Sequence, residues 1–273
     1  MNSNRLVSQL QEMQRRGRKG VAPYITAGDG GLETTLAVLE ALDSGGACCV
    51  ELGVPFSDPI ADGPVLQAAA SRALEAGTNL RAILKMVAEF RSRGGKIPIA
   101  LFSYANPLLR LSWEEAARLS AEAGVDAWLI PDMIPEESTE LLSATAKHSL
   151  AQVFFVAPTS SPKRIERAAQ ASQGFLYAIG RVGVTGAETE LAESTLEFLK
   201  SMRQTCHLPL AVGFGLRNAA QVAAVTQHAD IAIIGSAFVE RIHNAFVKAG
   251  NSPKKAAEEA TLYLSELMEG LNQ

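Results

Sequence analysis

The chain has 273 residues, of which 47% are hydrophobic and 20% are charged, and its formal net charge is −4. This composition supplies the apolar surface for one large core, and the mild acidity argues against nucleic-acid binding, which usually needs a basic block. No apolar run approaches the roughly 20 residues of a membrane span and the first residues lack an apolar signal segment, so we expect a cytoplasmic protein. The three cysteines and four histidines show no metal-ligand spacing, so no metal site is expected.

Short apolar runs alternate along the chain with longer segments that carry helix signals. Ser112 and Glu115 fit a capping box, and Ser161-Pro162 and Ser252-Pro253 each place an N-cap residue before a first-turn proline. Eight apolar runs are predicted to be strands: Val21–Ile25, Cys48–Gly53, Pro98–Phe102, Ala127–Ile130, Gln152–Val156, Phe175–Ile179, Pro209–Gly213 and Ile231–Gly235.

Near-continuous apolar strands that alternate with helices predict a parallel sheet covered by helices. Eight such units favour a closed (β/α)8 barrel, the TIM-barrel architecture, and a doubly wound open sheet is the alternative. We expect an additional N-terminal helix near Arg5–Arg16 and an additional C-terminal helix, where apolar residues from Ala260 to Leu271 are spaced 4-3-4. No linker interrupts the pattern, so the simplest interpretation is a single domain over residues 1–273.

The second predicted strand and its loop carry the densest chemical signal, Glu51-Leu-Gly-Val-Pro-Phe-Ser-Asp-Pro-Ile-Ala-Asp-Gly-Pro64. Because side chains alternate along a strand, Glu51 should point into the barrel near its carboxyl end, where barrel enzymes place their active sites. The proline-rich loop carries Asp58 and Asp62 over the mouth, so two carboxylates could perform acid–base chemistry on one substrate. The alternatives are a structural hydrogen-bond network for Glu51 and a turn or capping role for either aspartate.

Glycines follow the last three predicted strands. Gly180, Gly183 and Gly186 allow the loop after the sixth strand to close, with Arg181 and Thr185 as its polar groups, although a plain flexible loop is the alternative. Gly213-Phe214-Gly215 ends the seventh strand, and Gly235-Ser236 ends the eighth and opens a helix. Barrels often bind phosphate between these two loops, where backbone N–H groups and a helix N-terminus favour an anion. Ordinary tight turns are the alternative.

Together these stretches resemble the tryptophan synthase alpha chain family. The matching segments, which span nearly the whole chain, are Glu51–Pro64, Tyr104-Ala-Asn-Pro107, Pro131-Asp132, Arg181–Gly186, Gly213-Phe-Gly215 and Gly235-Ser236. The resemblance implies a carbon–carbon lyase of L-tryptophan biosynthesis that splits indole-3-glycerol phosphate into indole and glyceraldehyde 3-phosphate.

The resemblance also implies roles for individual residues. Asp62 matches the carboxylate that stabilises the cation formed when indole C3 is protonated, and Glu51 matches the base that takes the side-chain hydroxyl proton. Glu51 could also deliver the proton to C3, and either job favours a pKa nearer neutrality. The other matches are Tyr177 in the substrate pocket; Thr185, which meets the catalytic Asp when the loop of Arg181 and Gly183 closes; Gly186, Gly215, Gly235 and Ser236 at the phosphate; and Phe102, Leu129 and Phe214 around the indole.

The resemblance implies no cofactor in this chain, since pyridoxal phosphate belongs to a beta subunit in an alpha2beta2 heterotetramer. Asp58 and the loop around Asn106-Pro107 match surfaces that face that subunit. The chain departs from the family pattern at Gly180, where Ser is usual, and at Leu216-Arg217-Asn218-Ala219, which replaces the usual Ser/Thr-Pro-Glu. Both departures could alter loop closure or phosphate affinity.

Three other functions remain as alternatives at this point. The chain could be a stand-alone lyase that releases free indole, or a catalytically weak subunit that mainly activates a beta partner. The same fold could also serve sugar-phosphate isomerisation or epimerisation, although that reaction would not explain the motif after the second strand.

Overall fold

The computed structural model of the protein describes residues 4–179, 193–213 and 215–272. Nine strands lie within these ranges, and each pairs in parallel with its neighbours in one sheet. They are β1 (Gly20–Thr26), β2 (Val50–Gly53), β3 (Ile99–Phe102), β4 (Ala127–Leu129), β5 (Ala151–Val153), β6 (Phe155–Val156), β7 (Leu176–Ile179), β8 (Leu210–Gly213) and β9 (Ile231–Ile234).

Helices connect the strands and cover the outside of the sheet. In the described part of the chain they are α1 (Arg5–Arg15), α2 (Leu32–Gly45), α3 (Pro64–Glu75), α4 (Leu80–Ser92), α5 (Ala105–Leu109), α6 (Trp113–Ala123), α7 (Thr139–Lys147), α8 (Pro162–Ala171), α9 (Glu193–Thr205), α10 (Ala219–Thr226), α11 (Ser236–Lys248) and α12 (Pro253–Met268). Ser112, Ser161 and Ser252 each cap the helix that the sequence predicted. None of these helices has both the length and the apolar composition needed to span a bilayer.

The sheet closes into a barrel through its fifth strand. The strand order is β5-β4-β3-β2-β1-β9-β8-β7-β6, so its two ends, β5 and β6, are consecutive pieces of the predicted strand Gln152–Val156. They are separated at Phe154, whose N–H donates to Ser172 Oγ (3.0 Å) instead of to a neighbouring strand. With the two pieces counted as one strand, the predicted (β/α)8 barrel is confirmed.

Side chains along the strands divide into two layers, as alternation requires. In β2, Val50 and Leu52 lie in the large apolar core between the strands and the outer helices. Cys49 lies instead in the cluster that fills the barrel interior, and Glu51, two residues further along the strand, is only 1% exposed. The fold therefore places the Glu51 carboxyl inside the barrel.

The predicted additional helices are both present. Leu6 and Leu10 of α1 are fully buried against the interior cluster, so this helix closes the amino end of the barrel. At the other terminus, Tyr263 of α12 stacks on Phe238 of α11 with ring centroids 5.4 Å apart. Both helices are thus held to the barrel by apolar contacts rather than by chain connection alone.

A buried carboxylate ties three elements together at the amino end. Asp126 forms ion pairs with Arg5 of α1 (2.9 Å) and Arg91 of α4 (3.0 Å), and it accepts a hydrogen bond from the N–H of Ile99 at the start of β3 (2.9 Å). Its side chain is 3% exposed, and burial raises the pKa of Asp126 although these partners act in the opposite direction, so they replace only part of its lost solvation.

We expect Asp126→Ala to lower the free energy of unfolding by about 3 kcal/mol, because it leaves the partly buried Arg91 and the buried N–H of Ile99 without their partner. Chemical denaturation measures this loss. The control is Glu122→Ala, which breaks a pair with Arg118 on the surface of α6 and should cost less than about 1 kcal/mol. Equal losses in the two variants would contradict a structural role for Asp126.

Candidate active site

A cavity of about 370 Å³ opens at the carboxyl ends of the strands. Seven of the residues that the sequence predicted for the site line it: Glu51, Asp62, Phe102, Tyr177, Gly215, Gly235 and Ser236. They come from loops and strands that are up to about 180 positions apart in the chain, and the closed barrel brings them to one place.

Glu51 lies at the buried end of this cavity. Its strand is paired with β1 and β3, so the residue is fixed opposite Tyr24 and Ala100. Burial raises the pKa of Glu51 to about 8, and the nearby Tyr177 hydroxyl only partly opposes that rise. Its Oε1 atom has no hydrogen-bond partner among the residues that the structure describes. A neutral carboxyl group that faces a cavity and has an oxygen without a hydrogen-bond partner can donate a proton to a bound molecule and accept one from it.

Asp62 lies in the loop between β2 and α3 and is half-buried. Its N–H donates to the Pro59 carbonyl (3.0 Å), and the N–H of Ala61 donates to the Tyr104 hydroxyl oxygen (2.9 Å). Burial raises the pKa of Asp62 to about 6, while the Tyr104 hydroxyl acts in the opposite direction. Near neutral pH, Asp62 is therefore mostly ionised while Glu51 is mostly protonated, which gives the two carboxyl groups different roles.

Aromatic rings form one wall of the cavity. Phe102 makes an edge contact with Tyr24 (centroids 5.6 Å apart) and another with Phe155 (5.9 Å), and Phe155 in turn lies 4.7 Å from Tyr177. Such a surface suits a flat apolar ring, since its own rings already present edges and faces for stacking. Tyr24 and Phe155 were missed by the sequence analysis, although alternation along the first and fifth predicted strands would have pointed both inward.

The opposite part of the cavity is built from backbone. Gly215 has a φ of +74°, which favours glycine, and Gly235 immediately precedes α11. A Cβ atom added at either glycine would meet nothing within 4 Å, so the cavity has open space beside both. The N–H groups of Ser236 and Ala237 open α11 and lack carbonyl partners within the helix, whereas those of Phe238 and Val239 donate to the Gly235 carbonyl. These features suit an anion such as a phosphate group.

The segment that departs from the family pattern still starts a helix. The Asn218 side chain accepts a hydrogen bond from the N–H of Gln221 (2.9 Å) and so caps α10. The Arg217 carbonyl accepts one from the Tyr263 hydroxyl (2.6 Å). The usual Ser/Thr-Pro-Glu start is thus replaced by another cap, and the backbone after Gly215 keeps a fixed position.

Other predicted residues lie elsewhere. Leu129 is fully buried in the interior cluster and is not among the residues that line the cavity within the described ranges. Asp58 and Asn106 are exposed on the same end of the barrel. Gly180, Arg181, Gly183, Thr185, Gly186 and Phe214 lie outside the residues that the structure describes. Over residues 4–179, 193–213 and 215–272, no three His, Cys, Asp or Glu side chains group as metal ligands.

The raised pKa of Glu51 predicts a pH-dependent change in stability. The folded protein binds the Glu51 proton more tightly than the unfolded chain does, so stability falls as pH rises from the ordinary value of 4.5 to about 8. Glu51→Gln removes this penalty. Relative to the wild type, the variant should gain a few kcal/mol between about pH 5 and about pH 9, because one pKa unit corresponds to about 1.4 kcal/mol.

Urea unfolding at several pH values measures that gain. The exposed Glu140→Gln serves as the control and should show no such trend. A constant difference between Glu51→Gln and the wild type across this range would mean that Glu51 ionises in the folded protein as it does in water.

A family model described as the tryptophan synthase alpha chain matches residues 10–271 of this sequence. The tryptophan synthase alpha chain of Nitrosococcus oceani is 40% identical over 269 residues, which cover 98% of each chain. That of Chloroflexus aggregans is 40% identical over 265 residues, which cover 97% of each chain.

Two solved structures are similar over nearly their whole length. Tryptophan synthase subunit alpha from Legionella pneumophila superposes with a TM-score of 0.86 at 31% identity and covers 98% of both chains. A chain of Mycobacterium tuberculosis tryptophan synthase gives a TM-score of 0.85 at 31% identity over 100% of both chains. Sequence and fold thus agree on one family.

Proposed function

Because the chain belongs to the tryptophan synthase alpha chain family, we propose that its cavity binds indole-3-glycerol phosphate and that Glu51 and Asp62 catalyse the cleavage. The chain is a carbon–carbon lyase of tryptophan biosynthesis, and its products are indole and glyceraldehyde 3-phosphate. One observation carries the assignment of the two residues: both carboxyl groups line a single cavity, and burial raises the pKa of each toward neutrality.

The reaction breaks the bond between indole C3 and the first carbon of the glycerol phosphate side chain. Protonation of C3 turns the ring into a cation and makes it a leaving group, and the electron pair of the broken bond returns to the ring. The ionised Asp62 carboxylate accepts a hydrogen bond from the ring N1–H and stabilises the cation. Glu51 takes the side-chain hydroxyl proton as the aldehyde forms, and its neutral form is a source of the proton for C3.

The remainder of the cavity binds the substrate. The aromatic wall of Tyr24, Phe102 and Phe155 stacks against the indole ring. Tyr177 contacts Phe155 with its ring and Glu51 with its hydroxyl. The backbone around Gly215 and Gly235 and the N-terminus of α11 hold the phosphate. Fixing both ends of the molecule places the scissile bond beside the two carboxyl groups. Thr185, Gly186, Arg181, Gly183 and Phe214 complete the site by family resemblance.

The proposed partner is a tryptophan synthase beta subunit in an alpha2beta2 assembly, and pyridoxal phosphate belongs to that subunit. This chain then acts through its own carboxyl groups. Asp58 and Asn106 are exposed where the family faces its partner, and Ile60 between the two aspartates is 85% exposed. An apolar side chain that solvent reaches so fully on a proline-rich loop supports a protein contact at this end of the barrel. We also infer that residues 1–273 form one domain, since one sheet underlies the described chain.

The first test is indole release from indole-3-glycerol phosphate by the purified chain, with and without a tryptophan synthase beta subunit. The wild type should be slow alone and faster with the partner. Glu51→Gln and Asp62→Asn should each lose at least about 100-fold in kcat, because the first removes the group that transfers protons and the second removes the carboxylate that stabilises the cation. The pH–rate profile of Glu51→Gln should also change.

Three results would contradict parts of this proposal. A fast rate without any partner would favour a stand-alone lyase. A wild-type rate no higher than that of both variants would leave a subunit that only activates its partner. No indole under any condition would mean that the substrate is wrong.

The phosphate site has its own test. Gly235→Ala places a methyl group in open space beside the helix N-terminus, so the fold should tolerate it while the phosphate is displaced. We expect KM for indole-3-glycerol phosphate to rise about tenfold or more, with a smaller effect on kcat. Binding of indole alone is the control and should not change. An unaltered KM would place the phosphate elsewhere.

A further inference from the structure

We propose that Tyr104 is a positioning residue for Asp62, and that Asp132 holds Tyr104 in place. The inference rests on the proposed catalytic role of Asp62. Neither Tyr104 nor Asp132 is among the described residues that line the cavity, so neither is assigned contact with the substrate. Both belong to motifs that the acid–base chemistry leaves unexplained, Tyr104-Ala-Asn-Pro107 and Pro131-Asp132.

The loop that carries Asp62 makes few hydrogen bonds to other parts of the barrel. Its hydrogen bonds within the described chain join near neighbours, such as the Asp62 N–H to the Pro59 carbonyl and the Gln67 side chain to the Asp62 carbonyl (2.9 Å). In the segment 55–63, the bond from the Ala61 N–H to the Tyr104 hydroxyl is the exception, because it spans 43 positions. Tyr104 therefore fastens the residue next to Asp62 to a different strand–loop unit of the barrel.

The Tyr104 hydroxyl can position Asp62 through two hydrogen bonds, one as acceptor and one as donor. Its oxygen accepts from the Ala61 N–H, and its proton remains available to the Asp62 carboxylate. Burial and the negative charge of Asp62 raise the pKa of Tyr104 to about 12, so the hydroxyl keeps its proton near neutral pH. A hydroxyl donated to the ionised form lowers the pKa of Asp62 below the value that burial alone would give.

Two contacts fix Tyr104 itself. Its ring is 3% exposed and lies 5.3 Å from the ring of Phe56, at the start of the same loop. Both carboxylate oxygens of Asp132 accept from the N–H of Ala105 (3.0 and 3.2 Å), the residue that follows Tyr104 and begins α5. Asp132 is exposed, so its share is smaller than that of the buried tyrosine.

The experiment measures the titration of the Asp62 carboxyl carbon by NMR in the free protein, alongside the pH dependence of kcat/KM. Tyr104→Phe keeps the ring and removes the hydroxyl. We expect the pKa of Asp62 to rise from about 6 by roughly half a unit to one unit. The acid limb of kcat/KM should move to higher pH by the same amount, since Asp62 acts as a carboxylate.

Tyr263→Phe is the matched control, because it also removes a tyrosine hydroxyl that donates a hydrogen bond, here to the Arg217 carbonyl. It should leave the Asp62 titration where it is in the wild type. A purely structural role for the Tyr104 hydroxyl would lower the rate at every pH without moving either titration.

Asp132 supplies the second pair of variants. Asp132→Ala should move the Asp62 pKa part of the way toward the Tyr104→Phe value, and Asp132→Asn should restore most of it because an amide oxygen still accepts from Ala105. The double variant Tyr104→Phe/Asp132→Ala should match Tyr104→Phe alone, since Asp132 acts through the tyrosine.

An unmoved Asp62 titration in folded Tyr104→Phe protein would overturn the inference, even with Asp62→Asn inactive. Full activity of Asp62→Asn would instead overturn the proposed role of Asp62. The two failures are distinguishable because the carboxyl titration is read without turnover.

Discussion

Glu51 places a carboxyl group inside an apolar barrel, where loss of solvation opposes its ionisation. The Glu51 side chain cannot turn toward solvent, because β2 is paired with a strand on each side and its other face packs against helices. The site is built around this unfavourable position. Neighbouring rings exclude water, the Tyr177 hydroxyl recovers only part of the lost solvation, and a proton remains on the carboxyl near neutral pH. The group whose burial weakens the fold is also the group to which we assign the acid–base chemistry.

Much of this arrangement could be predicted from sequence. Alternation along the second strand put Glu51 inside and Val50 and Leu52 outside, and the structure places all three so. Gly213, Gly215 and Gly235, which follow the seventh and eighth predicted strands, lie at the same cavity as Glu51, because parallel strands of a closed barrel end on one face. These inferences need only the alternation of side chains along a strand and the parallel order of the strands.

Other features depend on contacts between distant segments, which no local pattern encodes. The break at Phe154 arises because Ser172, from a later turn, offers its hydroxyl to that N–H. The bond between Ala61 and Tyr104 likewise joins two loops, so the sequence could suggest that both matter without showing that they touch. Leu129 pairs in register with Phe102, yet it is fully buried in the interior cluster and is not among the described residues that line the cavity, so its expected place at the indole stays a prediction. The pKa values follow from burial and could only be anticipated in direction.

The position of α1 affects which end of the barrel is open to small molecules. Leu6 and Leu10 pack against an interior that strand side chains already fill, so the amino end of the barrel is closed. The cavity that we propose for the substrate opens instead at the carboxyl ends of the strands, on the face that carries Asp58, Ile60 and Asn106. A partner subunit bound at the carboxyl-end face would receive indole directly. Without a partner, the chain would release indole into the solvent. The interior side chains and α1 together seal the amino end, so the carboxyl-end face is the side from which the proposed product would leave.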